Sequence, residues 1–127
     1  MVGFKGEKTE LSKFEFPEAE PLEMSMSDIF GEPCNKNIGY TLRVGGRGSG
    51  LMDRRNWDSY SLSGRTVRLT SEEGKKMMGL PEEFEFPVSE SQAMKQLGNS
   101  VAVPAVRATA KAIIMYMNQA KSKHKAA

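Results

Sequence analysis

The chain has 127 residues, of which 39% are hydrophobic and 27% charged, and its formal net charge is +2. This length suits one folded domain, and the lack of an 18-residue apolar run argues against a transmembrane span. The single cysteine, Cys34, excludes an internal disulfide and offers no metal-binding spacing. The N-terminus shows no signal segment, so we expect a cytoplasmic protein.

The charged residues are distributed unevenly along the chain. Residues 14–35 contain six acidic residues and no lysine or arginine, whereas residues 43–55 contain four arginines and one aspartate. An arginine-bearing, glycine-rich segment suits a phosphate-rich partner. Solvated loops would explain the same pattern, and composition alone leaves both interpretations open.

The first half of the chain predicts short elements separated by turns. In chain order they are a strand at 1–5, an irregular segment at 6–24, a one-turn helix that Ser25 or Ser27 caps and Gly31 ends, and a strand at 40–44. Residues 45–50 contain four glycines in six residues, which predicts a loop.

The second half predicts a hairpin followed by three helices. The elements are strands at 57–62 and 65–69 around Ser63-Gly64, a helix with a Thr70–Glu73 capping box that ends at Gly79, a helix from Ser89 or Ser91 to Leu97, and a long helix from Val101 to about Ala120. Trp57 is expected to anchor the core or a loop rather than to stack on a base.

Three blocks of this sequence occur together in one known protein family. They are Lys95-Gln96-Leu97-Gly98-Asn99-Ser100-Val101, residues 67–84 and Thr41-Leu42. In this combination they resemble the C-terminal part of the DNA cytosine-5 methyltransferases, and Val2-Gly3-Phe4 is similar to a strand end in that family. The resemblance covers nearly the whole chain and is weakest over residues 5–38.

The resemblance implies a fold and a division of the chain. The fold would be α+β, with the short strands and hairpin of a small recognition region plus C-terminal helices, as a fragment of an α/β Rossmann-like methyltransferase. Residues 1–5 would end the sheet of the catalytic domain, residues 6–88 would form a reduced target-recognition region, and residues 89–127 would return to the catalytic domain. The block from Arg68 to Pro81 would organise the recognition region.

Five residues are predicted to contact double-stranded DNA. By resemblance, Thr41 would contact phosphate or the DNA backbone. Arg43 and Arg47 are candidates for reading bases, since arginine makes bidentate hydrogen bonds with guanine edges. Arg54 and Arg55 would position phosphates, which sets register without reading sequence. The alternative is a flexible loop with exposed arginines.

The corner Gly98-Asn99-Ser100 is predicted to lie at the entrance to the last helix. An amide and a hydroxyl beside free backbone N–H groups suit the amino-acid part of a small polar ligand. By resemblance, Asn99 and Ser100 would line part of an S-adenosyl-L-methionine pocket. Gly98 would allow close backbone approach, and Val101 and Val103 would pack behind the corner. No metal site is predicted.

The reactive residues of the family do not appear in this sequence. Cytosine-5 methylation needs a cysteine nucleophile and a carboxylic acid, which the family takes from Pro-Cys-Gln and Glu-Asn-Val segments. Neither segment occurs here, and Cys34, followed by Asn35, is interpreted as incidental. The resemblance therefore predicts a DNA (cytosine-5-)-methyltransferase segment that has no activity alone.

Two origins are open for such a chain. It could be a small subunit that pairs with a catalytic N-terminal polypeptide carrying the nucleophile, or a piece of a longer gene. The alternatives to an enzyme part are a non-enzymatic DNA-binding or regulatory module and an inert truncated remnant. The recognised DNA sequence, the oligomeric state and any role in restriction–modification stay open at this point.

Overall fold

A computed structural model describes residues 14–125, with side chains described for residues 14–120. The predicted strand at 1–5 lies outside the described residues. In chain order the elements are α1 (Met26–Phe30), β1 (Ser59–Leu62), β2 (Arg65–Arg68), α2 (Ser71–Met77), α3 (Glu90–Asn99) and α4 (Val103–Lys125). Helices together with an antiparallel strand pair confirm the α+β class, whereas a Rossmann-like parent fold stays a prediction.

The predicted hairpin is confirmed. Strands β1 and β2 pair antiparallel, with Tyr60 opposite Val67. Ser63 and Gly64 form the turn with φ angles of 48° and 85°, the left-handed backbone that a two-residue hairpin loop favours. β1 begins at Ser59, two residues later than predicted.

Local capping signals place the starts of two helices correctly. Ser25 and Asp28 form a capping box at the start of α1, and Gly31 ends that helix in the left-handed region. Thr70 and Glu73 form the predicted capping box of α2. Both boxes satisfy backbone N–H groups that a helix N-terminus leaves without partners.

The last two helices differ in their limits from the sequence prediction. α3 continues through Gly98 to Asn99, and α4 begins at Val103 with Pro104 in its first turn. A proline is tolerated there because its missing N–H would have no helical partner. The N–H of Val103 instead donates to the carbonyl of Met78 at 2.8 Å.

The predicted strand at 40–44 is wrong. This segment is irregular. It contacts the side chain of Tyr60 and helix α3 instead of pairing with a strand. The N–H of Tyr40 donates to the hydroxyl of Tyr60 at 2.9 Å, and Leu42 is buried in the core. The alternation of apolar residues therefore reflects burial beside β1 without strand pairing.

One hydrophobic core joins α1, β1, α2 and α3. The buried members are Met26, Ile29, Leu42, Trp57, Tyr60, Leu62, Leu69, Met94 and Leu97. Gly74 permits the close approach of α2 and α3, because a Cβ there would lie 2.7 Å from Cδ1 of Leu97. Burial also raises the pKa of Tyr60 above its ordinary value.

The contacts group the chain into two compact units. Residues 21–104 form one unit and contain the core. In the other, the described residues are 14–20 and 105–125, where the ring of Phe14 meets that of Tyr116 edge-on at 5.6 Å. The functional divisions predicted at 6–88 and 89–127 stay predictions.

One stretch of the described chain, Glu90–Ala120, is long and apolar enough to cross a membrane by length and composition. Arg107 and Lys111 lie within it, so the predicted lack of an uninterrupted 18-residue apolar run stands. The stretch is weak evidence for a span, because it is interrupted between α3 and α4.

Candidate functional site

Two surfaces carry the residues that the sequence selected, and the first is a cleft of about 380 Å³. We call it the arginine cleft. Its lining residues are Arg43, Gly46, Arg47, Gly48, Ser49, Gly50, Asp53 and Arg55. Three of the five predicted DNA-contacting residues thus lie around one concavity, together with the predicted glycine loop at 45–50.

The glycine loop needs glycine at two of its positions. Gly46 and Gly48 adopt φ angles of 79° and 95°, which side-chain-bearing residues rarely take. The guanidinium of Arg68 donates to the carbonyl of Gly48 at 3.3 Å. Arg68, which the resemblance assigned to organising this region, is therefore in direct contact with the loop.

Buried side chains behind the cleft hold the loop from the core side. Trp57 is 2% exposed, and its indole N–H donates to the carbonyl of Gly45 at 3.0 Å. The hydroxyl of Ser59 donates to the carbonyl of Ser49 at 3.0 Å. Asn56 bonds both the N–H and the carbonyl of Ser59 at 2.9 Å. The predicted anchoring role of Trp57 is therefore confirmed, and we call Asn56–Ser59 the supporting segment.

Asp58 is the member of this segment that sequence reasoning missed. Its side chain is fully buried, and its carboxylate accepts from the N–H of Gly48 at 3.2 Å. The same carboxylate lies 3.5 Å from Nε of Arg47. No periodic signal marks Asp58, because four consecutive residues of the supporting segment are all buried.

The arginines around the cleft differ in how they are engaged. Arg47 is held by internal partners, including the carbonyl of Leu69 at 2.7 Å. Arg55 pairs with Asp53 at 3.2 Å, and this hydrogen-bonded pairing lowers the pKa of Asp53 and raises that of Arg55. Arg43 is exposed.

The other two predicted DNA-contacting residues stand apart from the cleft lining. Thr41 and Arg54 are both exposed, and neither lines the cleft. Exposure leaves both able to meet an external partner. The structure thus gathers Arg43, Arg47 and Arg55, and leaves Thr41 and Arg54 outside that group.

The second surface is the corner at Asn99 and Ser100, which forms the end of α3 rather than the entrance to α4. Both residues are exposed, as a ligand-binding role requires. Ser100 directs its backbone N–H and its hydroxyl to the carbonyl of Leu97, at 3.1 Å and 2.7 Å. The expected free N–H of Ser100 is therefore absent, and Val101 is 66% exposed rather than packed behind the corner.

Gly98 connects the corner to the cleft. A Cβ at Gly98 would lie 2.5 Å from the carbonyl carbon of Arg43 and 2.6 Å from the backbone nitrogen of Val44. The space that Gly98 leaves is thus filled by the backbone of the chain itself, which is the close backbone approach predicted at this position. The backbone of Arg43 and the end of α3 are in direct contact.

Comparison with known proteins gives this geometry a family context. The family model for C-5 cytosine-specific DNA methylase matches residues 54–115, which include the supporting segment, β1, β2, α2, α3 and the corner. The chain contains a segment related to these methylases. This agrees with the resemblance in kind, while the C-terminal placement of the segment stays a prediction.

Individual relatives match over different spans. Type II methyltransferase M.SsoII from Shigella sonnei is 49% identical over 47 residues, which cover 37% of this chain and 12% of the relative. M.HpaII from Haemophilus parainfluenzae is 47% identical over 37% of this chain and 13% of its own length. M.DsaV from Dactylococcopsis salina is 26% identical over 93% of this chain and 42% of the relative. The chain thus spans less than half the length of these three relatives, and no solved structure matches it.

Proposed function

We propose that this chain contributes DNA target recognition and part of the S-adenosyl-L-methionine pocket to a DNA (cytosine-5-)-methyltransferase. The observation that carries the proposal is the position of the family match. The matched segment starts at Arg54 and contains the supporting segment that holds the arginine cleft. Residues 54–104 of the matched segment therefore belong to the same compact unit as the candidate DNA-binding surface.

The cleft is suited to double-stranded DNA. Arginine pairs with phosphates or guanine edges through two parallel hydrogen bonds, and glycines without Cβ atoms allow close approach of a duplex. Arg43 and Arg55 stand at the cleft wall with Asp53, which leaves a locally positive surface. Arg54 and Thr41 are exposed and would add contacts to the DNA backbone.

The corner is suited to part of the cofactor. Asn99 offers an amide that donates and accepts, and the hydroxyl oxygen of Ser100 keeps acceptor capacity while its hydrogen bonds Leu97. The C-terminal end of a helix also favours positive charge. S-adenosyl-L-methionine, a sulfonium cation, supplies the methyl group when bound. These residues would form one wall, with the rest supplied elsewhere.

The nucleophile of the reaction would come from outside the described segment. Cys34 is half-buried, and its N–H bonds the hydroxyl of Ser27 at 3.0 Å in a turn, so we assign it no catalytic role. We therefore propose a catalytic N-terminal polypeptide as the partner, in the cytoplasm. The chain would supply DNA contacts and a cofactor wall but no chemistry of its own.

Complementation tests this function directly. The chain is mixed with an N-terminal portion of a relative such as M.DsaV that lacks the region matched here, and transfer of tritiated methyl groups to duplex DNA is measured. We expect transfer in the mixture and none from either component alone. Methyl transfer by the chain alone would contradict the proposal.

A matched pair of variants tests the cofactor wall. Asn99→Ala is expected to raise the KM for S-adenosyl-L-methionine in the complemented enzyme, whereas Gln92→Ala, at another exposed position of α3, is expected to leave it unchanged. Equal KM values for both variants would show that Asn99 does not line the pocket. DNA retention without transfer in every mixture would favour a non-enzymatic DNA-binding module.

A further inference from the structure

Arg47 and Arg43 line the same cleft but differ in their partners. The guanidinium of Arg47 is bound by other residues of the fold. Its Nη2 donates to the carbonyl of Leu69 at 2.7 Å, Nε lies 3.5 Å from Asp58 and Nη1 lies 3.8 Å from Glu90. Only 31% of its side chain is exposed. The guanidinium of Arg47 therefore makes one hydrogen bond and two ion-pair contacts with other parts of the fold.

Asp58 makes this arrangement electrostatically necessary. A fully buried carboxylate is costly unless charge and hydrogen bonds compensate it, and Asp58 receives both from Arg47 and from the N–H of Gly48. Arg47 and Gly48 are neighbours in the chain. One buried group therefore fixes two consecutive residues of the glycine loop.

Arg43 presents the contrary arrangement. Its backbone is fixed, because Leu42 before it is buried and Gly98 lies against its carbonyl carbon. Among the described residues, no hydrogen bond or ion pair engages its guanidinium, which is exposed at the cleft wall. A rigid attachment with a free bidentate donor group is the arrangement that an external partner can use.

We propose that Arg47 and Asp58 are positioning residues that hold the glycine loop in its DNA-binding shape, and that Arg43 makes the contact with DNA. This assignment rests on the DNA binding proposed above and divides the residues that sequence reasoning treated alike. Arg47 acts on DNA through the loop, so the effect of its substitution on DNA affinity depends on Asp58. Arg43 contacts DNA directly, so the effect of its substitution does not depend on Asp58.

A double-mutant cycle in DNA binding tests this division. Affinity for a fluorescein-labelled mixed-sequence duplex is measured by anisotropy over a range of salt concentrations, for Arg47→Gln, Asp58→Asn, Arg43→Ala and the double variants. We expect Arg47→Gln to weaken binding about tenfold in the wild type and less than about twofold in the Asp58→Asn background. Arg43→Ala should weaken binding by the same factor in both backgrounds. It should also reduce the slope of log affinity against log salt concentration by about one, which corresponds to one lost phosphate contact.

Two further measurements keep the test decisive if a variant is less stable. Hydrogen exchange of the Gly48 amide should accelerate in Arg47→Gln and Asp58→Asn, and stay protected in Arg43→Ala. Arg47→Lys keeps the charge but loses the fork, so it should behave like Arg47→Gln if Arg47 positions the loop. Wild-type affinity in Arg47→Lys would assign Arg47 to phosphate binding and overturn the proposal.

The outcomes separate this inference from the proposed function. Equal effects of Arg47→Gln in both backgrounds, with a lowered salt slope, overturn the positioning role while DNA binding stands. Absence of duplex binding by the wild type at low salt overturns the proposed DNA contact and the role of Arg43 with it. Arg107→Ala, which removes one positive charge from α4 outside the cleft, is the control for a general charge effect.

Discussion

The glycine loop and helix α4 differ in the interactions that hold them in place. The loop has no regular secondary structure, yet the supporting segment behind it is buried and bonds Gly45, Gly48 and Ser49. α4 is a regular helix of 23 residues. It nevertheless exposes apolar side chains, including Val106, Ile114 and Met115 at 50%, 58% and 62%.

The difference shows where a single substitution should act. The loop depends on a few buried side chains at fixed places, so one change there removes several contacts. Exposed positions of the helix tolerate most residues other than glycine and proline, because the backbone hydrogen bonds do not involve the side chain. Regularity of secondary structure is therefore a poor guide to sensitivity in this chain.

Replacement of Trp57 should destabilise the chain more than any other substitution considered below. Trp57→Ala removes a buried ring from the core and the hydrogen bond to Gly45, which should cost about 3–5 kcal/mol of unfolding free energy. Urea unfolding followed by far-UV circular dichroism measures this, since Trp57 is the only tryptophan of the chain. A loss below about 1 kcal/mol would show that the loop is not held from the core.

Gly98 gives the next largest expected effect. Gly98→Ala places a Cβ against the Arg43–Val44 peptide, which cannot yield as a side chain does, and overpacking of this kind costs about 1–3 kcal/mol. Gly50→Ala is the matched control, because a Cβ there meets nothing within 4 Å. Equal unfolding free energies for the two variants would show that α3 does not pack tightly against the Arg43–Val44 peptide at Gly98.

The Asp53–Arg55 pair gives a smaller effect that depends on pH. The pKa of Asp53 lies below the ordinary 3.8 because of its hydrogen bonds from Arg55. Stability from this pair is therefore present above that ordinary value and is lost as pH falls through the lower folded-state pKa. NMR titration of the Asp53 carboxyl should show an upward shift in Arg55→Gln, and an unshifted midpoint would contradict the pairing.

The smallest expected effect belongs to the exposed face of α4. Ile114→Ser removes an exposed apolar side chain and should change the unfolding free energy by less than about 0.5 kcal/mol. The measurement is the same urea titration as for Trp57→Ala. A loss comparable to that of Trp57→Ala would mean that α4 is as dependent on tertiary contacts as the loop, and the comparison would fail.

Local signals in the sequence determined a defined part of this protein. The capping residues Ser25 and Thr70, the turn residues Ser63 and Gly64, and the glycine loop were all readable, because each acts through its own backbone or close neighbours. The methylase relation was readable as well, since it depends on short ordered motifs. Site roles drawn from those motifs stay predictions.

The contacts between these pieces could be seen in the folded chain and not in the sequence. The tertiary structure replaced the strand at 40–44 with an irregular segment beside Tyr60, it made the corner at Asn99 a helix end, and it placed Asp58 beneath Arg47. The first and the third of these depend on contacts between residues that are distant in the chain. Periodicity shows which face of an element is apolar. It does not show that a buried carboxylate such as that of Asp58 will pair with Arg47 from another part of the chain.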